Sequence, residues 1–190
     1  MLKKLVLGAV FSLVFTATAS AATIISDDGA FTLEVPDNWQ QVKAEVEGEK
    51  PILDVEKTDG RGRITLIEST VVKSQLADYK TFGDMPTAYK THLTALLSKA
   101  LQDKVTHNGY KIRLETKDFN DYSMHTTYIA RGHDVVIAID SLVLLNGDKC
   151  YVLFFDGDKK NFPESALVAS SLQAHGMPLE KWIESGFPAR

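Results

Sequence analysis

The sequence has 190 residues, of which 44% are hydrophobic and 24% charged, and its formal net charge is −4 at pH 7. This length suits one ordinary domain, and the hydrophobic share is enough to form a core without disulfides or metals. An acidic chain is a poor partner for nucleic acids and anionic membranes, so we expect it to bind neither.

The first residues have the layout of a cleavable secretory signal. Lys3 and Lys4 precede an apolar run from Leu5 to about Ala17, and small residues follow it. The run is shorter than the roughly 20 residues that cross a bilayer, so we predict no permanent membrane anchor. We therefore predict a signal peptide over residues 1–21, a single domain over residues 22–190, and a periplasmic or secreted location. Loss of the two lysines changes the formal net charge from −4 to −6.

The first ordered segment reads "FTLEVPDNWQ" and alternates apolar and polar residues from Phe31 until Pro36. Alternation with a period of two indicates a half-buried strand, and a proline cannot continue its hydrogen-bond ladder. Two further alternating runs, 51–57 and 63–72, are joined by "TDGRG", which is typical of a hairpin.

The pattern then changes to that of a helix, which we predict over residues 84–103. Asp84 is placed to cap its start, and Pro86 lies in the first turn, where a missing N–H costs little. Its apolar stripe indicates packing against a core. The stripe consists of Met85, Tyr89, Leu93, Leu96, Leu97, Ala100 and Leu101.

Four more strands are predicted, at about residues 110–118, 122–131, 134–145 and 149–156, and short turns separate the last three. Such spacing indicates a meander of antiparallel hairpins. The strand at 134–145 is apolar on both faces, so we expect it inside the sheet.

A last helix is predicted over residues 162–174. Asn161 followed by Glu164 resembles a capping box, and Gly176 is a natural helix stop.

The tail over residues 177–190 is the main candidate for partner binding. Leu179, Trp182 and Ile183 have helical spacing after a proline. An amphipathic peptide of this kind docks onto another protein through such anchors, so we predict that these three residues bind a partner. The alternative is that they pack onto their own domain.

Residue patterns typical of enzymes are missing from the sequence. The histidines form no HxH or HExxH motif, and there is no GxSxG turn, so we predict no catalytic, cofactor-binding or metal-binding residue. His125 lies on a predicted polar strand face, which is usually just solvated. Asp140 interrupts "VVIAIDSLVLL", and we expect it at a bend or bulge that reaches water or a backbone N–H. Burial with a functional role is the alternative, and it underlies a second hypothesis of a hydrolase or metal-dependent enzyme.

Cys150 is the only cysteine, so an intramolecular disulfide is impossible. We expect its thiol to be buried in the strand "CYVLFF". An intermolecular thiol is the alternative, and it predicts a self-associating protein that forms a reducible dimer.

The order of elements, with "FTLEVPDNWQ" at the start and "FPESALVASSL" entering the last helix, resembles the PsbP-like family. That family includes the PsbP protein of photosystem II and bacterial envelope proteins of the DcrB type. The resemblance implies an α+β fold, with an antiparallel sheet of about six or seven strands packed between helices as an α/β/α sandwich. It also implies a noncatalytic accessory protein that acts on an envelope protein or a small ligand, without a cofactor, as a monomer or weak homodimer.

Overall fold

The computed structural model describes residues 21–43, 49–76, 79–106, 109–132, 134–146 and 149–185. The predicted signal peptide up to residue 20 and the end of the tail, 186–190, lie outside the described residues. Within that part of the chain, no helix combines the length and the apolar character that crossing a membrane requires.

Within the described residues the chain forms eleven strands and four helices. The strands are β1 (Ala21–Ile25), β2 (Phe31–Pro36), β3 (Trp39–Gln41), β4 (Lys50–Lys57), β5 (Gly62–Glu68), β6 (Lys111–Phe119), β7 (Ser123–Arg131), β8 (Val136–Asn146), β9 (Lys149–Asp158), β10 (Gln173–Ala174) and β11 (Met177–Pro178). The helices are α1 (Thr70–Gln75), α2 (Thr87–Thr106), α3 (Phe162–Ser170) and α4 (Leu179–Ser185).

Seven strands form one antiparallel sheet in the order β3-β4-β5-β9-β8-β7-β6. Its second half is the predicted meander, and β8 lies inside the sheet between β9 and β7. The short strands β1, β2, β10 and β11 form a second sheet. The α+β fold with a seven-stranded antiparallel sheet is therefore confirmed.

One side of the large sheet, which we call the α2 side, is covered by α2. Leu93, Leu97 and Leu101 recur along this helix and are buried. They pack against inward-facing residues of the strands, including Met124 and Val152. The predicted apolar stripe thus forms this core through its leucines, whereas Ala100 is exposed and Met85 is buried but lies before α2.

The opposite side, the α4 side, is covered by the small sheet, α3 and α4. The alternating residues Phe31, Leu33 and Val35 of β2 are buried there against Leu153 of β9 and other apolar residues of the large sheet. The alternation in "FTLEVP" therefore directs one row of side chains into this core.

The α4 side of β6 and β7 remains at the surface. α3 packs over β5 and β9, and α4 packs over β8. His125 and Arg131 are consequently exposed, while Thr127 and Ile129 between them are half-buried. We call this part of the α4 side the open sheet.

Two predicted element boundaries are wrong. The strand predicted over 63–72 ends at Glu68, because Ser69 Oγ accepts the N–H of Val72 at 3.0 Å and thereby caps α1. The helix predicted over 84–103 spans Thr87–Thr106, so Asp84 lies before its first turn.

The end of the last helix also differs from the prediction. α3 ends at Ser170 because Gln173 and Ala174 pair with β2. Gly176, at φ +73°, belongs to the tight turn between β10 and β11 and does not end a helix. Asn161 makes no side-chain capping bond, and Glu164 binds Lys57 of β4 instead.

Candidate functional site

The three residues predicted to bind a partner lie on α4, whose helical spacing is as predicted. Trp182 and Ile183 are buried, and Leu179 is half-buried. The indole ring of Trp182 packs edge-on against the rings of Phe31 and Tyr151, with centroid distances of 5.4 Å to each. The described part of the tail therefore packs onto its own domain, so it is not a free docking peptide. Partner binding by these residues stays a prediction.

A groove of about 490 Å³ lies between α4 and the turn that joins β6 to β7. Leu142 of β8 and Leu179 and Ile183 of α4 contribute apolar surface to it, and residues 120–123 line it from the turn. Asp121 of that turn and Glu180 of α4 supply carboxylates. We call this feature the α4 groove, and its lining combines apolar surface with acidic groups.

His125 of the open sheet and Asp140 of the neighbouring strand β8 lie side by side next to the α4 groove. In the β7–β8 register His125 is opposite Leu142, and Asp140 is opposite Thr127. His125 Nε2 and Asp140 Oδ2 are 3.2 Å apart, with side chains that are 45% and 13% exposed. Because Leu142 lines the groove, the pair adjoins it directly.

The expected position of Asp140 at a bend or bulge is wrong. β8 pairs with β7 and with β9 in uninterrupted register through this residue, and its partner is the imidazole of His125. Its Oδ1 is buried and has no hydrogen-bond partner among the described residues. A buried carboxylate oxygen without a donor is unfavourable, and the other oxygen, Oδ2, is the one that His125 contacts.

A second cavity, of about 400 Å³, lies on the other side of α4 next to Trp182. Asp28, Lys149 and His175 contribute polar groups to it. Burial opposes ionisation of Asp28, but hydrogen bonds from Ser26 Oγ and the backbone N–H of Ala30 outweigh burial and lower its pKa. Lys149 pairs with Glu68 at 3.1 Å. The charged groups of this cavity are thus already engaged within the protein.

The structure brings His125 and Asp140 together but adds no further catalytic or metal-binding group to this pair among the described residues. No group of three or more His, Cys, Asp or Glu residues there is arranged to hold a metal ion. No described hydroxyl or thiol forms a hydrogen bond with His125. Burial raises the pKa of Cys150 to about 12, so its thiol is protonated at neutral pH. His92 is exposed on α2, His175 lies in the β10–β11 turn, and His107 and His133 fall outside the described residues.

Sequence reasoning found one wall of the α4 groove and missed the rest. The apolar pair Leu179 and Ile183 is visible as an i, i+4 spacing. Asp121 and Glu180 carry no local signal, because the groove forms only when the β6–β7 turn, β8 and α4 come together in the fold.

No protein-family model matches the sequence, and no curated protein matches it. Solved structures do resemble the fold. The solution structure of cyanobacterial PsbP from Synechocystis has a TM-score of 0.56 at 15% identity, and the likeness covers 88% of this chain and 98% of the other. The Ran-binding protein Mog1p of Saccharomyces cerevisiae has a TM-score of 0.41 at 10% identity, over 83% of this chain and 97% of the other. A protein of Bacteroides thetaiotaomicron has a TM-score of 0.41 at 13% identity, over 80% of this chain and 47% of the other.

The likeness to cyanobacterial PsbP extends over nearly the whole of both chains. Together with the seven-stranded antiparallel sheet, it shows that this chain has a PsbP-like fold.

Proposed function

We propose that this chain is an exported, noncatalytic accessory protein that binds a partner protein of the cell envelope through the α4 groove. The observation that carries the proposal is the groove itself, where apolar side chains and two carboxylates lie beside an open sheet. Concave surfaces that combine apolar area with a few polar groups are preferred binding sites. A free small ligand is the other occupant that such a surface accepts.

Export is proposed from the N-terminal pattern of two lysines, an apolar run and small residues. Fractionation of cells that express the full chain, followed by N-terminal sequencing, tests this step. We expect a processed protein that begins near residue 22 in the periplasm or the medium. Retention of the unprocessed chain in the cytoplasm would contradict export.

Partner binding is tested by placing a photo-crosslinking amino acid at Glu180, which lines the groove and is exposed. The matched control is the same amino acid at Lys99, which is exposed on α2 across the sheet. We expect a crosslinked product of one discrete mass from position 180 and none from position 99. Identical products from both positions, or none from either, would contradict binding at the groove.

A hydrolase or metal-dependent enzyme that uses His125 and Asp140 is the second candidate. The 3.2 Å contact between these side chains favours it, because a histidine held by a carboxylate is a common arrangement in active sites. The binding function is preferred since His125 is 45% exposed on an open surface and has no described hydroxyl or thiol as its partner. Metal analysis of the protein purified from its own compartment distinguishes the binding function from the enzyme function. Stoichiometric zinc or copper would favour the enzyme.

A further inference from the structure

The position of the Asp140 carboxylate indicates what the partner brings to this surface. A carboxylate offers about four lone-pair positions. Oδ1 of Asp140 is buried, and the polar contact described for Oδ2 is the imidazole nitrogen of His125. His125 is 45% exposed, so it can move aside without disturbing the core. An ammonium or guanidinium group supplies several donors and a positive charge at once. Asp140 is therefore suited to a lysine or arginine side chain from outside the protein.

The spacing of the side chains around Asp140 matches that of an extended polypeptide segment. Ala138, Asp140 and Leu142 follow one another on the same side of β8, at alternate positions of an uninterrupted strand. Side chains at such positions are about 7 Å apart, which matches the spacing of alternate side chains in an extended polypeptide. The half-buried Ala138 and Leu142 place apolar surface on both sides of the carboxylate. This arrangement favours an extended segment with a basic residue between apolar residues.

Charge supports the same occupant and suggests its direction. Asp121 and Glu180 line the α4 groove, and Asp118 lies opposite His125 on β6. The far end of the open sheet carries Arg131 of β7 opposite Lys111 of β6, both exposed. A segment with its positive charge toward the groove and negative charge toward Arg131 is complementary to both ends.

We propose that the α4 groove and the adjoining open sheet bind an extended segment of the partner protein, with a lysine or arginine of that segment paired to Asp140. This inference rests on the proposed function, since it specifies the chemistry of the partner at the same site. Specificity comes from the carboxylate between two apolar positions, and affinity also depends on Leu179 and Ile183 of the groove.

The test uses a displayed library of random seven-residue peptides, selected on the purified protein. Selected peptides are then synthesised, and their affinities are measured by fluorescence anisotropy. We expect enrichment of lysine or arginine between apolar residues. Asp140→Asn keeps the shape of the side chain and should weaken binding about tenfold or more, because a charge-assisted pair is lost. The control Asp103→Asn removes the same charge from the exposed side of α2 and should change affinity by less than about twofold.

A second variant keeps the test decisive if Asp140→Asn fails to fold. His125→Ala removes the internal partner of Asp140 from an exposed position. It should therefore strengthen binding of basic peptides by about threefold. If basic residues are not enriched, or if neither variant changes affinity, the inference is wrong. If in that case the selected peptides bind the Leu179→Ala variant more weakly than wild type, the proposed binding function of the groove is still supported. No selected peptide and no crosslink at position 180 would overturn both.

Discussion

At the scale of single residues, Lys57 is a cation placed inside the protein, with a side chain only 7% exposed. Its Nζ donates to Asn161 Oδ1 at 2.8 Å and to Glu164 Oε2 at 2.5 Å. Glu164 Oε1 in turn accepts the indole N–H of Trp39 at 3.0 Å. The hydrogen bond from Lys57 is the largest cause of the lowered pKa of Glu164. Glu164 therefore links α3 to β3 and β4.

The two partners of this ion pair should respond differently to substitution. Glu164→Gln leaves the ammonium group of Lys57 buried without its counter-ion, whereas Lys57→Met leaves a carboxylate that is 33% exposed and reaches water. We expect Glu164→Gln to lower the free energy of unfolding by about 1–3 kcal/mol, and by more than Lys57→Met. Urea unfolding followed by circular dichroism measures both losses. A larger loss for Lys57→Met would contradict the described burial.

The same carboxylate makes stability depend on pH. The pKa of Glu164 is lowered in the folded protein from an ordinary value of 4.5. Its contribution is therefore complete above about pH 4.5 and is lost as the pH falls through the lowered pKa. We expect the stability difference between wild type and Glu164→Gln to be larger at about pH 7 than at about pH 3. An equal difference at both pH values would show that the charge of Glu164 does not stabilise the fold.

Cys150 provides a further test of burial. It is 1% exposed, and burial raises its pKa to about 12, so both access and thiolate formation are suppressed. We expect alkylation by iodoacetamide at about pH 8 to be at least about a hundredfold slower in the native protein than in denaturant. Mass spectrometry of timed samples measures this ratio. The same burial predicts no reducible dimer on a nonreducing gel, and a dimer there would support self-association through Cys150.

At the scale of elements, α4 has two different faces. Trp182 fills the core between Phe31 and Tyr151, whereas Leu179 lines the groove and is half-buried. We expect Trp182→Ala to cost about 3–5 kcal/mol of stability and Leu179→Ala less than about 1.5 kcal/mol. Leu179→Ala should instead reduce crosslinking from position 180. If Leu179→Ala destabilises as much as Trp182→Ala, the proposed division between core and binding face is wrong.

The elements also show what sequence periodicity can predict. Two local patterns each identified an element and its buried side: the alternation in "FTLEVP" and the spacing of Leu93, Leu97 and Leu101. The period of the apolar residues indicates the type of element, and their common side indicates which face is buried. β10 has two residues, Gln173 and Ala174, and their strand pairing depends on β2, more than a hundred residues earlier in the chain. The residues around Gln173 and Ala174 alone therefore cannot predict this pairing. The Asp140–His125 contact was missed for the same reason, since the register of β7 on β8 creates it.

At the scale of the whole molecule, two cores share one sheet. Strand β9 directs Cys150 and Val152 to the α2 side, and Tyr151 and Leu153 to the α4 side. It also pairs along its length with both β5 and β8. Loss of either core removes the packing from one face of this strand, so we expect the stabilities of the two sides to be coupled.

Unfolding should therefore be a single cooperative transition. Both tryptophans, Trp39 and Trp182, lie in the α4-side core, so their fluorescence reports on that side alone, while far-UV circular dichroism includes the long helix α2. We expect the two urea curves to have the same midpoint. Leu97→Ala on the α2 side and Leu33→Ala on the α4 side should each shift both curves together, by about 2–5 kcal/mol. A fluorescence curve that moves for Leu33→Ala and stays in place for Leu97→Ala would mean that the cores unfold separately, in spite of the strand they share.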